Sequence, residues 1–161
     1  MNIVYLQLGS NLGDRLKQLE DATVEIEMKI GSVINCSKIY ESSPWGVLNQ
    51  SNYLNQILEV ETKIDAQSVL CLVLGIEKSL GRIREEKWGE RLIDIDLLFY
   101  NSEIIRVPGL DIPHKHLHKR KFVLIPLNEI AENYKHPKYM KKVKDLLIEC
   151  DDNNTVNEYA L

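Results

Sequence analysis

The chain has 161 residues, 44% hydrophobic and 27% charged, with a formal net charge of −4 at pH 7. That length suits one domain around one core, and the slightly acidic balance excludes a surface built throughout for nucleic acid, so any anion site must be local. Cys36, Cys71 and Cys150 lie far apart without a C-x-x-C pair, which argues against a disulfide framework and structural zinc and suits a reducing, cytoplasmic setting.

Residues 3–8 are β-branched and apolar, with no basic stretch before them. They predict a strand stopped by Gly9, not a signal peptide. No apolar run approaches membrane-spanning length, so no membrane partner is expected. Ser10 and Asn11 are good caps for a helix over 12–29, where Leu16, Leu19, Ala22, Ile26 and Ile30 recur at helical spacing and Gly31 ends the run. Residues 33–40 alternate as a strand, 41–51 form a loop of functional length around Pro44 and Gly46, and 53–64 form the next strand. Asp65 caps a helix over 66–80 that Gly81 closes. A charged loop over 82–92 leads to a strand over 93–100, with a turn at Asn101-Ser102 and a short partner strand over 103–107.

The order to this point is strand, helix, strand, strand, helix, strand. It predicts an α+β, ferredoxin-like βαββαβ core: one antiparallel sheet with two helices on one face and the other face free to carry a site. Beyond it, Pro126 predicts a short helix over 126–131 with proline in its first turn. A further helix is expected over 138–149 and a frayed tail over 151–161. Residues 1–134 then form the core domain, and 135–161 belong to it or hang from it as an appendage.

Asp94 and Asp96 stand one residue apart on a predicted strand. Strand side chains alternate, so both carboxylates face one way, about 7 Å apart at Cα. Ile93, Ile95 and Leu97 face the helices. Two such charges are costly without a cation, and Mg²⁺ is commonly held by one or two carboxylates with water and phosphate. On spacing alone a solvated strand face is the commoner reading. Arg82, Arg84, Lys87 and Arg91 precede the pair, and the cluster His114-Lys115-His116-Leu117-His118-Lys119-Arg120-Lys121 follows it. Two basic clusters beside one metal site suit a polyphosphate, although Glu85, Glu86 and Glu90 could also neutralise the loop. Alternating His114, His116 and His118 match a zinc pattern on a strand, which the flanking lysines and arginine disfavour. Trp45, Tyr53 and Phe122 could stack a flat heterocycle, and Asn55, on the strand face of Tyr53, could read its edge. Core packing is the plainer reading of Tyr53 and Phe122.

Together these residues resemble the 6-hydroxymethyl-7,8-dihydropterin pyrophosphokinase family of folate biosynthesis. The resemblance runs from Leu8 to about Ala131. Gly9-Ser10-Asn11-Leu12-Gly13 is similar to the family's opening G-S-N-x-G, and Tyr53-Leu54-Asn55 to its Y-x-N pterin element. Gly81-Arg82-Ile83-Arg84 is similar to its G-R-x-R. The run Trp88-Gly89-Glu90-Arg91-Leu92-Ile93-Asp94-Ile95-Asp96 is similar to its W-G-x-R-x-x-D-x-D. Pro113-His114 and Arg120-Lys121-Phe122-Val123-Leu124 are similar to its P-H and R-x-F-V-L elements.

The resemblance implies transfer of the β,γ-diphosphate of ATP to the pterin hydroxymethyl oxygen, releasing AMP. It implies two Mg²⁺ on Asp94 and Asp96, with Arg82 and Arg91 counted in the catalytic set. Arg82, Arg84, Lys87, Arg91, His114 and Arg120 would hold phosphate or adenosine, with Trp88 closing the loop and Glu77 near the nucleotide. Tyr53 and Phe122 would sandwich the pterin, with Asn55, Trp45, Ser42 and Ser43 completing its pocket. Lys87, Gly109 and Lys115 depart from the commoner pattern at positions tied to the phosphate contacts and not to the reaction.

Such transfer needs positioning and charge neutralisation more than a covalent nucleophile, and the long loops over 41–52 and 82–92 suit a site that must exclude water. The partners expected are small molecules, with no nucleic acid, and the chain is expected to be a monomer with a dimer as alternative. Two rivals use the same residues. A ferredoxin-like nucleic-acid module would use Tyr53 and Phe122 but would place two aspartates against a phosphodiester backbone. A metal-dependent phosphohydrolase or nucleotidyltransferase would use the aspartates alone.

Overall fold

A computed structural model of the chain describes residues 1–44, 49–81 and 92–161. The elements are β1 (Asn2–Ser10), α1 (Arg15–Lys29), β2 (Ser32–Cys36), β3 (Tyr40–Ser42), β4 (Tyr53–Thr62), α2 (Ala66–Ser79), β5 (Asp94–Tyr100), β6 (Ile105–Val107), β7 (Leu110–Ile112), α3 (Lys121–Ala131), α4 (Val143–Glu149) and β8 (Val156–Glu158). The main sheet has the order β5-β1-β4-β3-β8, with β2 also on β4 and every pairing antiparallel. This is the ferredoxin-like arrangement that the order of strands and helices predicts.

Alternation sorts the sheet's side chains. Val4, Leu6 and Leu8 of β1, Leu54 and Val60 of β4, and Ile95 and Leu97 of β5 join Leu19, Ile26, Val69, Val73 and Ile76 of α1 and α2 in one core. The opposite face is not free. Tyr5, Ile57, Leu98 and Phe99 pack under Leu117 and Val123, Leu124 and Leu127 of α3, with Val143 and Leu146 of α4 behind. A bulge serves this division: Leu6 pairs with Leu97 and Tyr5 with Phe99, so Leu98 has no opposite number and both Leu98 and Phe99 reach the second core. The end of the second face carrying Gln7, Gly9, Asn55, Asp94 and Asp96 lies outside this core.

Several local expectations are corrected. Gly9 does not stop β1, because Asn55 of β4 and Asp94 of β5 flank it and supply ladder partners. Helix α1 starts at Arg15, where Asp14 accepts the Lys17 N–H at 3.1 Å; Ser10 and Asn11 do not cap it. The strand expected over 33–40 is two, parted where the Ser37 hydroxyl takes the Ile57 N–H at 2.9 Å in place of a carbonyl. Strand β6 pairs with β7 in its own two-stranded sheet and not with β5. Helix α3 begins five residues before Pro126. Proline leaves the Phe122 carbonyl without its helical donor, a local cost that the burial of Val123, Leu124 and Leu127 offsets. Residues 138–142 are not helical; His136 gathers them, its ring Nδ1 accepting from the Lys138 and Tyr139 N–H groups. The tail is not frayed: β8 extends the sheet along β3. By contrast, α2 carries the expected Asp65 cap, which accepts the Ser68 N–H at 2.9 Å.

Candidate active site

The register of the sheet assembles the site. Asp94, Gly9 and Asn55 lie side by side across β5, β1 and β4, and Asp96, Gln7 and Ile57 form the next row. Strands are 4.7–4.9 Å apart, so the aspartates and Asn55 are separated by roughly 10 Å of one continuous face. Asp94 and Asp96 are half-exposed while Ile95 between them is buried. Gly9 adds no side chain between them and Asn55. A Cβ there would sit 3.5 Å from Tyr53 Cδ1 and 3.6 Å from Asn55 Oδ1, in the space this floor keeps open.

Asn55 is 1% exposed and holds three strands together. Its Nδ2 donates to Ser42 Oγ at 2.8 Å and to the Tyr40 carbonyl at 3.3 Å, while its Oδ1 accepts from Gln7 Nε2 at 3.3 Å. A buried polar network so nearly satisfied is rigid. Gln7 is the member that sequence reasoning missed. Its only signal was a lone amide in an apolar strand, and that signal is silent about which neighbour it meets. Arg15 was missed as well: its guanidinium bonds Glu41 at 2.7 Å and the Asn52 carbonyl at 2.9 Å, closing both ends of the segment between β3 and β4.

His114 follows Pro113, and its backbone N–H donates to the carbonyl of the bulged Leu98 at 3.0 Å. This bond sets its Nε2 4.0 Å from Asp96 Oδ2. Burial first, then Arg120 and His116, push the His114 pKa down to about 4, with Asp94 opposing. The ring is therefore neutral at pH 7, and the approach to Asp96 is a polar contact rather than an ion pair. The three histidines do not line a strand: His114 and His116 face each other at 6.0 Å between centroids, while His118 packs on Tyr139 at 4.8 Å.

Arg120 occupies the N-cap position of α3 without a capping hydrogen bond from its side chain and is buried, with its guanidinium carbon 5.6 Å from the Phe122 ring centre. Helix α3 itself lies against β3 and β4, on the face of the sheet that carries Ile57 and Asn55. Ser42 is buried, and Ser43 and Tyr53 are half-buried. Glu77 is 2% exposed in α2, beneath the sheet; its carboxylate accepts the Ile95 N–H at 2.8 Å and so secures β5, the edge strand, between the two aspartates. Gly109 makes the β6–β7 turn at φ +82°, and Lys115 is exposed. Trp45, Arg82, Arg84, Lys87, Trp88 and Arg91 lie outside the described residues.

The donor set fits a hard cation. Two neighbouring carboxylates suit Mg²⁺ better than softer metals. Among the described residues no group of three acidic, histidine or cysteine side chains converges, so water or substrate oxygens would have to complete the coordination.

A ferredoxin-like sheet with paired carboxylates at one end and a buried amide floor beside them offers one face to a small, charged ligand. The chain belongs to the 7,8-dihydro-6-hydroxymethylpterin-pyrophosphokinase family, whose pattern matches residues 5–132. It is 43% identical over 145 residues to the 2-amino-4-hydroxy-6-hydroxymethyldihydropteridine pyrophosphokinase of Aquifex aeolicus, covering 90% of each chain. To the Bacillus subtilis protein of the same name it is 40% identical over 132 residues, 81% of this chain and 79% of that one. Among solved structures it resembles a chain described as HPPK-DHPS in complex with substrates, with a TM-score of 0.75, 16% identity and 92% of this chain covered. Plasmodium falciparum HPPK-DHPS gives a TM-score of 0.73 at 21% identity. This chain spans less than half of those two longer chains, 43% and 44%, and their likeness concerns the fold.

Proposed function

We propose that this protein transfers the β,γ-diphosphate of ATP to the hydroxymethyl oxygen of 6-hydroxymethyl-7,8-dihydropterin, giving AMP and the pterin diphosphate for folate biosynthesis. The observation that carries the reading is the single face on which Asp94 and Asp96 lie two strands from Asn55. That spacing suits a bicyclic ring at one end and a diphosphate at the other.

Asp94 and Asp96 would hold Mg²⁺, two ions by the family resemblance, and the metal would supply charge neutralisation for the phosphates. The chain's own groups do the rest. His114, neutral and half-buried, offers a hydrogen bond without adding charge beside the aspartates. Arg120 presents a fork to phosphate oxygens. Tyr53 and Phe122 stack the pterin, and Asn55, braced by Gln7 and Ser42, turns its remaining lone pair to the ring's edge. Ser43 and Trp45 complete the pterin side. Arg82, Arg84, Lys87, Trp88 and Arg91 bind and cover the nucleotide, and Glu77 acts from below by holding β5. No nucleophilic side chain is required, because the acceptor hydroxyl is the nucleophile. A monomer in the cytoplasm suits three unpaired cysteines; among the described residues no helix is long and apolar enough to cross a membrane.

The test is product identity. With ATP, Mg²⁺ and the hydroxymethyl dihydropterin, AMP and pterin diphosphate are expected in equal amounts. ADP alone, or no turnover, rejects the reading.

A further inference from the structure

Residues 151–161 carry none of the chemistry assigned above, yet they are tied to the pterin side of the site from two directions. Asp152 lies beyond α4 and reaches back 31 residues to the first turn of α3, where its Oδ2 accepts the Lys121 N–H at 3.0 Å. Its Oδ1 accepts the Asn154 N–H at 2.9 Å, which fixes the carboxylate. Helix α3 has no side-chain cap of its own, so Asp152 both satisfies an orphan amide and places a negative charge at the positive end of the helix. Lys121 lies between Arg120 and Phe122. Four residues beyond Asp152, β8 begins and pairs with β3, setting Ser42 opposite Val156. The Ser43 N–H donates to the Thr155 carbonyl at 3.2 Å, and the Tyr159 N–H to the Ile39 carbonyl at 2.8 Å. The Tyr159 ring then stacks near Arg15, 5.8 Å from its guanidinium carbon.

One short segment thus holds the start of α3 with its Phe122, and β3 with Ser42 and Ser43. These are two walls of the proposed pterin pocket. We propose that this C-terminal strap sets the spacing of those walls, with Asp152 as a positioning residue for Phe122. The inference rests on the pterin reading given above. Without Asp152 the first turn of α3 loses its amide acceptor, and the Phe122 ring loses its fixed distance from the sheet.

The test compares Asp152→Ala and Asp152→Asn with the wild type in the full chain. For Asp152→Ala, the pterin KM is expected to rise about tenfold while kcat stays within about twofold, the pattern of lost ground-state binding. Asp152→Asn keeps an acceptor oxygen and should recover most of the loss. Amide exchange at Lys121 should quicken in Asp152→Ala while that in α1 does not change. An unchanged pterin KM overturns the proposal. So does a fall in kcat that merely tracks the folded fraction, since that marks a stabilising role only. A wild type that makes no pterin diphosphate rejects the activity itself; Lys121 exchange, which needs no turnover, then still decides whether Asp152 holds the turn.

Discussion

At the scale of single residues, Asp96 and Tyr53 divide the work of the proposed site. Asp96 lies on a half-exposed strand position, so its loss opens no cavity. Asp96→Ala is expected to lower turnover by several orders of magnitude while the melting temperature stays within a few degrees of wild type; near-normal activity would remove the metal role. Tyr53 lies on β4, two strands from the aspartates, on the side proposed for the pterin. Tyr53→Ala should raise the pterin KM well above any change in the ATP KM, and equal losses would argue against the sandwich. The aspartate pair and Tyr53-Leu54-Asn55 stood out in the sequence through the family resemblance, since spacing alone favoured a solvated strand face and composition alone favoured core packing of Tyr53. Gln7 did not, since an amide in an apolar strand acquires its meaning only from Asn55, 48 residues away.

Elements meet where the backbone leaves no room for a side chain. Gly31 follows α1, and a Cβ built on it would lie 2.1 Å from the Glu61 carbonyl oxygen of β4. Relief would need the whole helix end to move, so Gly31→Ala should destabilise by about 1–3 kcal/mol or more, read by denaturant unfolding. Wild-type stability in that variant would show that the helix and strand shift freely. Gly81 differs: its φ is +92°, and a Cβ there would lie 3.2 Å from Leu92 Cδ1. It combines a left-handed backbone with the seat of the residue that leads into β5. In the sequence both glycines read simply as helix stops, which was correct but incomplete. The boundaries of α3 and α4 were harder, since helix propensity says nothing about Asp152 reaching Lys121 or His136 gathering residues 138–140.

At the scale of the whole molecule, stability should depend on pH through His136. The ring is buried, and its Nδ1 accepts two backbone N–H groups at 3.2 Å, which protonation would break. Burial, with His118 and Lys138, pushes its pKa down to about 4 from an ordinary 6.5. Between these values the unfolded chain binds the extra proton and the folded one does not. Stability is therefore full above about pH 6.5 and falls as the pH drops toward 4, with a slope of up to about 1.4 kcal/mol per pH unit from this residue. Replacing His136 with Gln should flatten that part of the profile in urea titrations, and an unchanged slope would assign it to other groups.

The sequence by itself determined the core order up to Tyr100, apart from the break in the strand over 33–40, together with the α2 cap, the D-x-D face and the family, because alternation, capping and motif spacing are local properties. Tertiary structure decided what local pattern cannot express. It placed α3 and α4 over half of the second face, because Tyr5, Ile57, Leu98 and Phe99 needed apolar cover. It drew the polar tail into the sheet, because β3 would otherwise leave an unpaired edge. It set Asp94 beside Gly9 and Asn55, because register depends on two strands at once and neither strand specifies it alone.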